Sequence, residues 1–96
     1  MLHLIFQSSE VDAVLERIEA GDAVVFLGSS ILRLIGRGSL AKVLTQSAKT
    51  CCLCALSDDL AMFGIDQVDL ADGIVSIEYA EWVELAVKHK QSLSWC

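Results

Sequence analysis

Five consecutive apolar residues, Ala23-Val24-Val25-Phe26-Leu27, stand between Gly21-Asp22 and Gly28-Ser29-Ser30. A run this short, with no polar residue, fits a strand covered on both faces, the usual condition of strands in a parallel sheet. Further apolar runs at Leu2 to Phe6, Thr50 to Leu56 and Ile74 to Glu78 predict three more strands. Between the runs the apolar residues change period.

Val11, Val14, Leu15 and Ile18 recur at helical spacing after Ser8 and Ser9, which suit a helix start, with Glu10 and Asp12 near its positive end. Gly21 closes that segment. Ile31 to Ile35 reads as a short helix or turn. After Gly36-Arg37-Gly38, residues Leu40, Val43 and Leu44 resume helical spacing. Ser57 is placed to cap a short helix carrying Asp58 and Asp59 in its first turn and ending near Gly64. Asp66 to Gly73 reads as a loop with room for an extended piece at Gln67 to Leu70. Tyr79 to Lys90 is an amphipathic helix whose Tyr79, Val83, Ala86 and Val87 share one face. Strand and helix alternating four times predict one α/β domain over residues 1–96. Its expected form is a three-layer, doubly wound, mainly parallel sheet of four to five strands.

Of the 96 residues 54% are hydrophobic, so the chain buries enough apolar surface to offset its ordering entropy, and disorder is excluded. A formal charge of −6 argues against direct contact with nucleic acid, which needs a clustered basic face. The longest apolar run is far short of the roughly 20 residues that cross a bilayer. Met1 to Gln7 lacks the basic start of a signal peptide. A cytoplasmic protein without membrane contact is expected.

Ligands in open parallel sheets bind beyond the carboxyl ends of the strands. Those ends are Gln7-Ser8-Ser9, Gly28-Ser29-Ser30, Ser57-Asp58-Asp59 and Tyr79-Ala80-Glu81, with no cysteine, histidine or lysine among them. Gly28-Ser29-Ser30 matches no phosphate-loop pattern, and Gly36-Arg37-Gly38 follows no strand. Asp58 and Asp59 read as charges compensating a helix dipole. His3, between apolar neighbours, reads as a hydrogen-bonded structural residue, and His89 as a cation at a helix carboxyl end. Cys51, Cys52 and Cys54 lie within a predicted strand, where side chains two apart run parallel, which disfavours a disulfide, and the trio lacks the paired spacing of a zinc site. They are expected to be buried and inert. No catalytic site, metal or cofactor is expected, and a binding module or non-catalytic subunit is favoured over an enzyme.

Met1-Leu2-His3, the stretch Ala55-Leu56-Ser57-Asp58-Asp59-Leu60 with Gly64-Ile65 behind it, Val87-Lys88-His89 and a tryptophan at 95 come in an order and spacing that resemble the DsrH/TusB family of sulfur-relay subunits. The resemblance spans nearly the whole chain and implies a DsrEFH-like fold akin to flavodoxin. It further implies a non-catalytic subunit of a heteromeric sulfurtransferase complex that supports 2-thiolation of the wobble uridine in transfer RNA. The partners implied are TusC-like and TusD-like subunits, the second carrying the transferring cysteine. DsrH-like relatives carry their own cysteine early in the chain; here none precedes Cys51, so the sequence looks like the Tus type. Gly28-Ser29-Ser30 departs from the acid or amide followed by glycine that relatives tend to have.

The high apolar content of a short chain predicts an interface, and self-association when the protein is purified alone. Trp95 is a candidate anchor, as are the loop residues Ser29, Ser30, Asp58 and Asp59; Trp82 reads as packing its helix onto the sheet. Two rival readings are a sulfur-accepting or redox enzyme using Cys96 or the strand trio, and a small-ligand binder using the Gly28 and Asp58 loops.

Overall fold

The computed structural model describes residues 1–36, 38 and 40–95. Five strands form one sheet: β1 (Leu2–Ile5), β2 (Ala23–Phe26), β3 (Cys52–Leu56), β4 (Val75–Ile77) and β5 (Ser92–Trp95), in the spatial order β4-β3-β2-β1-β5. Every neighbouring pair is parallel. Three α-helices, α1 (Val11–Arg17), α2 (Ala41–Ser47) and α3 (Ser57–Met62), belong to the connections through β4, and α4 (Tyr79–Lys88) links β4 to β5. The doubly wound α/β architecture expected from the alternation is the one observed.

β1 to β4 step steadily across the sheet, and β5 returns to the far side of β1. Parallel crossovers share one hand, so steps in one direction lay their connections on one face and a reversed step uses the other. The packing follows this rule. Ile5, Val24, Phe26, Leu53 and Ala55 pack against Val11 and Val14 of α1, Leu44 of α2 and Leu60 of α3. On the opposite face Leu2, Ala23, Val25, Cys54, Leu56 and Ile77 meet only Trp82 and Leu85 of α4 among helical residues.

Several boundaries differ from the sequence reading. The first helix begins with a 3₁₀ turn at Ser8–Glu10, and neither serine makes a side-chain cap. Residues Gly28–Leu34 form a 3₁₀ segment, and Gln67–Asp69 is a 3₁₀ turn rather than an extended piece. Ser57 opens α3 without capping it. The shared face of α4 is turned outward: Tyr79, Val83 and Val87 are 63%, 47% and 81% exposed. Trp82 and Leu85 make the contact with the sheet, because the pattern of apolar residues covers more than one side of this helix.

β5 lies outside the four apolar runs, although Ser92-Leu93-Ser94-Trp95 alternates with the period of a strand. Its anchor is Trp95, whose Nε1 donates to Nδ1 of His3 at 3.3 Å. Indole is a donor only, so Nε2 of His3 carries the ring proton and donates to Oδ2 of Asp22 at 3.0 Å. The Arg17 guanidinium lies 5.5 Å from the centre of the Trp95 ring. Asp22 also accepts from the Glu19 amide and from the Met1 amine, each at 3.0 Å. One carboxylate thus ties β1, the start of β2 and, through His3, β5.

Burial pushes the Asp22 carboxyl up, but the Glu19 amide, His3 and the Met1 amine together outweigh it and hold the pKa down at about 2, from an ordinary 3.8. Folding lowers this pKa, so the stabilisation is complete above pH 3.8 and is lost as the pH falls through about 2. The stability gap between the wild type and Asp22→Asn is expected to be full above that window and to close within it. Urea melts across the acid range measure it, and a gap indifferent to pH would contradict the assignment.

Candidate functional site

The crevice at the carboxyl ends of the strands is where a doubly wound fold places its ligand. Here the loops after β1, β2 and β3 are joined by the chain's own groups. Gly28 sits at φ +56°, and a Cβ at that position would lie 2.9 Å from the carbonyl oxygen of Phe6, so only glycine fits the turn. Its amide, the kind of donor that elsewhere cradles phosphate, donates to Oδ2 of Asp59 at 2.8 Å. The Ser8 amide donates to Oγ of Ser29 at 3.2 Å. Arg33 crosses the same region, donating to the carbonyl of Ser8 at 3.1 Å and to the Asp12 carboxylate at 3.3 Å.

Ser30 is fully buried, and its hydroxyl proton is shared between the carbonyls of Leu27 and Ile5 at 2.7 and 2.8 Å. The expectation that Ser30 faces a partner is therefore corrected. Each carbonyl also accepts a backbone amide, that of Leu27 for Ile5 and that of Ser30 for Leu27, so the two oxygens use a second lone pair to satisfy the buried hydroxyl. Ser29 and Asp59 are half-buried and bonded internally, Asp58 is exposed, and Trp95 is half-buried against His3. Ser29, Ser30 and Asp59 gather at the neighbouring ends of β2 and β3, whereas Trp95 stands at the end of β5, beyond β1. Asp58 and Asp59 stand in the first turn of α3, as the sequence suggests, and Asp59 also stoppers the crevice at the Gly28 amide.

The cysteines divide. Cys51 is buried, with its thiol 3.2 Å from the Glu19 carbonyl. Cys54 is buried on the α4 side, and burial, then the neighbouring Cys52 thiol and the charge of Glu81, push its pKa up to about 12. Cys52 is exposed, against expectation, because α4 leaves the edge of that face uncovered. The sulfurs of Cys52 and Cys54 are 3.4 Å apart and unbridged. The readings placed on Cys96 and on Arg37 lie outside the described residues. Among the described residues no three His, Cys, Asp or Glu side chains form a group able to hold a metal ion. No described helix is long and apolar enough to cross a membrane.

Two grooves flank α4. One, of about 360 Å³, is walled by Leu2 and Leu4 of β1 and by Tyr79, Trp82, Val83 and Val87. The other, of about 340 Å³, lies over Cys52, Cys54, Val75 and Ile77. Sequence reasoning missed both, since they arise from the reversal of strand order, which no local pattern encodes.

Residues 5–92 match the family model described as "DsrH like protein". The protein called TusB from Pectobacterium atrosepticum is 33% identical over 98 residues, covering 99% of this chain and all of that one. The chain belongs to the DsrH/TusB family. Proteins of the same name from Buchnera aphidicola and Klebsiella pneumoniae are 34% and 31% identical over 99% of the chain. A solved structure, a protein of unknown function from Methanobacterium thermoautotrophicum named MTH1491, superposes with a TM-score of 0.80 at 16% identity, over 98% of this chain and 96% of that one, and shows the fold alone. The sulfur-relay family inferred from the sequence is thus the one that the comparisons give.

In this DsrH/TusB chain, Asp59→Ala removes a charged acceptor from a half-buried amide and is expected to destabilise by about 1.5–3 kcal/mol. Asp59→Asn, which keeps an acceptor oxygen, should lose less. Chemical denaturation distinguishes the two; equal losses would mean that the Gly28 contact is unimportant.

Proposed function

We propose that this chain is a non-catalytic subunit of a heteromeric sulfur-relay complex supporting 2-thiolation of the wobble uridine in transfer RNA, acting as one unit beside TusC-like and TusD-like subunits in the cytoplasm. The observation that carries the reading is the closed crevice. Where the fold would hold a reacting group, the Asp59 carboxylate fills the Gly28 amide and no described cysteine stands there. Cys54, with its pKa near 12, is protonated at neutral pH and a poor nucleophile. The outward apolar stripe of α4 supports a role among other proteins, since contiguous apolar surface marks interaction sites.

The complex reconstituted with all four cysteines of this chain replaced by alanine or valine is expected to pass radiolabelled persulfide sulfur at close to the wild-type rate. Assembly is verified first by gel filtration. An assembled but inactive complex would make this subunit catalytic and overturn the proposal.

Alone at micromolar concentration, the protein is expected to sediment as an oligomer, with Val83→Glu/Val87→Glu shifting it toward monomer. A wild-type monomer with no affinity for the related subunits would remove the physical basis of a subunit role.

A further inference from the structure

Cys52 and Cys54 point to the same side of β3, and their sulfurs meet 3.4 Å apart at the floor of the groove beside α4. One thiol is exposed and the other buried, so the pair has an open approach and a fixed base. We propose that these two cysteines form a two-coordinate thiolate site for a soft monovalent cation of the copper(I) class.

Backbone geometry favours a bridging ion over a disulfide. Alternate residues on a strand keep their Cβ atoms about 6.6 Å apart, whereas a disulfide draws them to about 3.5–4.5 Å. Closing that gap would disrupt β3, which pairs with β2 at both cysteines and with β4 from Cys54 onward. An ion asks for the opposite movement. Two metal–sulfur bonds of about 2.3 Å laid end to end span about 4.6 Å. The sulfurs need only to part by roughly 1 Å, which the exposed Cys52 supplies by rotating its side chain.

The surroundings select the ion. Thiolates favour soft cations, and among the described residues no third His, Cys, Asp or Glu side chain joins the pair toward the tetrahedron that zinc requires. Val75, Ile77 and Leu85 make the groove apolar, Glu81 and Glu84 attract a cation to its mouth, and Lys88 offsets the single negative charge of a bis-thiolate holding a monovalent ion. Binding exchanges two S–H bonds for two metal–sulfur bonds and releases two protons to solvent, with no electron transferred.

The full-length protein, reduced and kept free of oxygen, is titrated with copper(I) in competition with a chromophoric copper(I) chelator, and the product is weighed by native mass spectrometry. One copper per chain is expected, the neutral mass rising by one copper less one hydrogen, since the second displaced proton is matched by the extra negative charge of the bis-thiolate. Cys51→Ala/Cys96→Ala should bind as the wild type does. Cys52→Ser, at an exposed position that leaves the core intact, should weaken binding at least about 100-fold, the loss expected when a bivalent ligand becomes monovalent. Undiminished binding by Cys52→Ser, uptake that vanishes in the Cys51→Ala/Cys96→Ala variant, or copper held only between two chains would each overturn the proposal. The readout is metal uptake, so the outcome stands apart from that of the sulfur-transfer experiment.

Discussion

Parallel strands can be joined only by crossovers, and crossovers of one hand leave the chain little choice of where its helices lie. β1 to β4 advance in one direction, so the helices of the first three connections gather on one face. The return to β5 reverses direction and places α4 on the other face. One ten-residue helix is too narrow to cover a five-stranded sheet. The half-covered face, its two grooves, the outward stripe of α4 and the exposure of Cys52 all follow from that single reversal.

Much of the core was legible because parallel strands buried on two sides leave continuous apolar runs. Ala23–Phe26 is buried at every position, and four of the five residues of Cys52–Leu56 are too. β5 left a weaker trace. It lies at the edge and needs only alternate apolar residues, and Leu93 and Trp95 follow a helix too closely for the change of period to stand out. The outward stripe of α4 was visible as a pattern, but its direction was not. Period alone says which residues share a side, and the sheet decides which side faces inward.

The candidate site was legible in its location rather than its use. Gly28-Ser29-Ser30 and Ser57-Asp58-Asp59 do stand at adjacent strand ends. What the sequence does not display is that Asp59 reaches across to the Gly28 amide and that Ser30 turns into the sheet. Such bonds join residues up to 31 positions apart. The pairing of Cys52 with Cys54 is the reverse case: two neighbours in the sequence keep parallel side-chain directions and still bring their sulfurs together, through rotamer choice alone.

Trp95 and His3 are separated by 92 positions, and the bond between them closes a loop that takes in nearly all of the described residues. The outer edge of β1 is covered by residues 92–95, and it stands unpaired until they fold onto it. Until that step the rest of the sheet carries an open, hydrogen-bonding border. Such a border is a template for pairing with another chain, and long-range closure is slow because its loop entropy must be met first. Folding of this protein is a race between its last four strand residues and any other strand that reaches β1 before them.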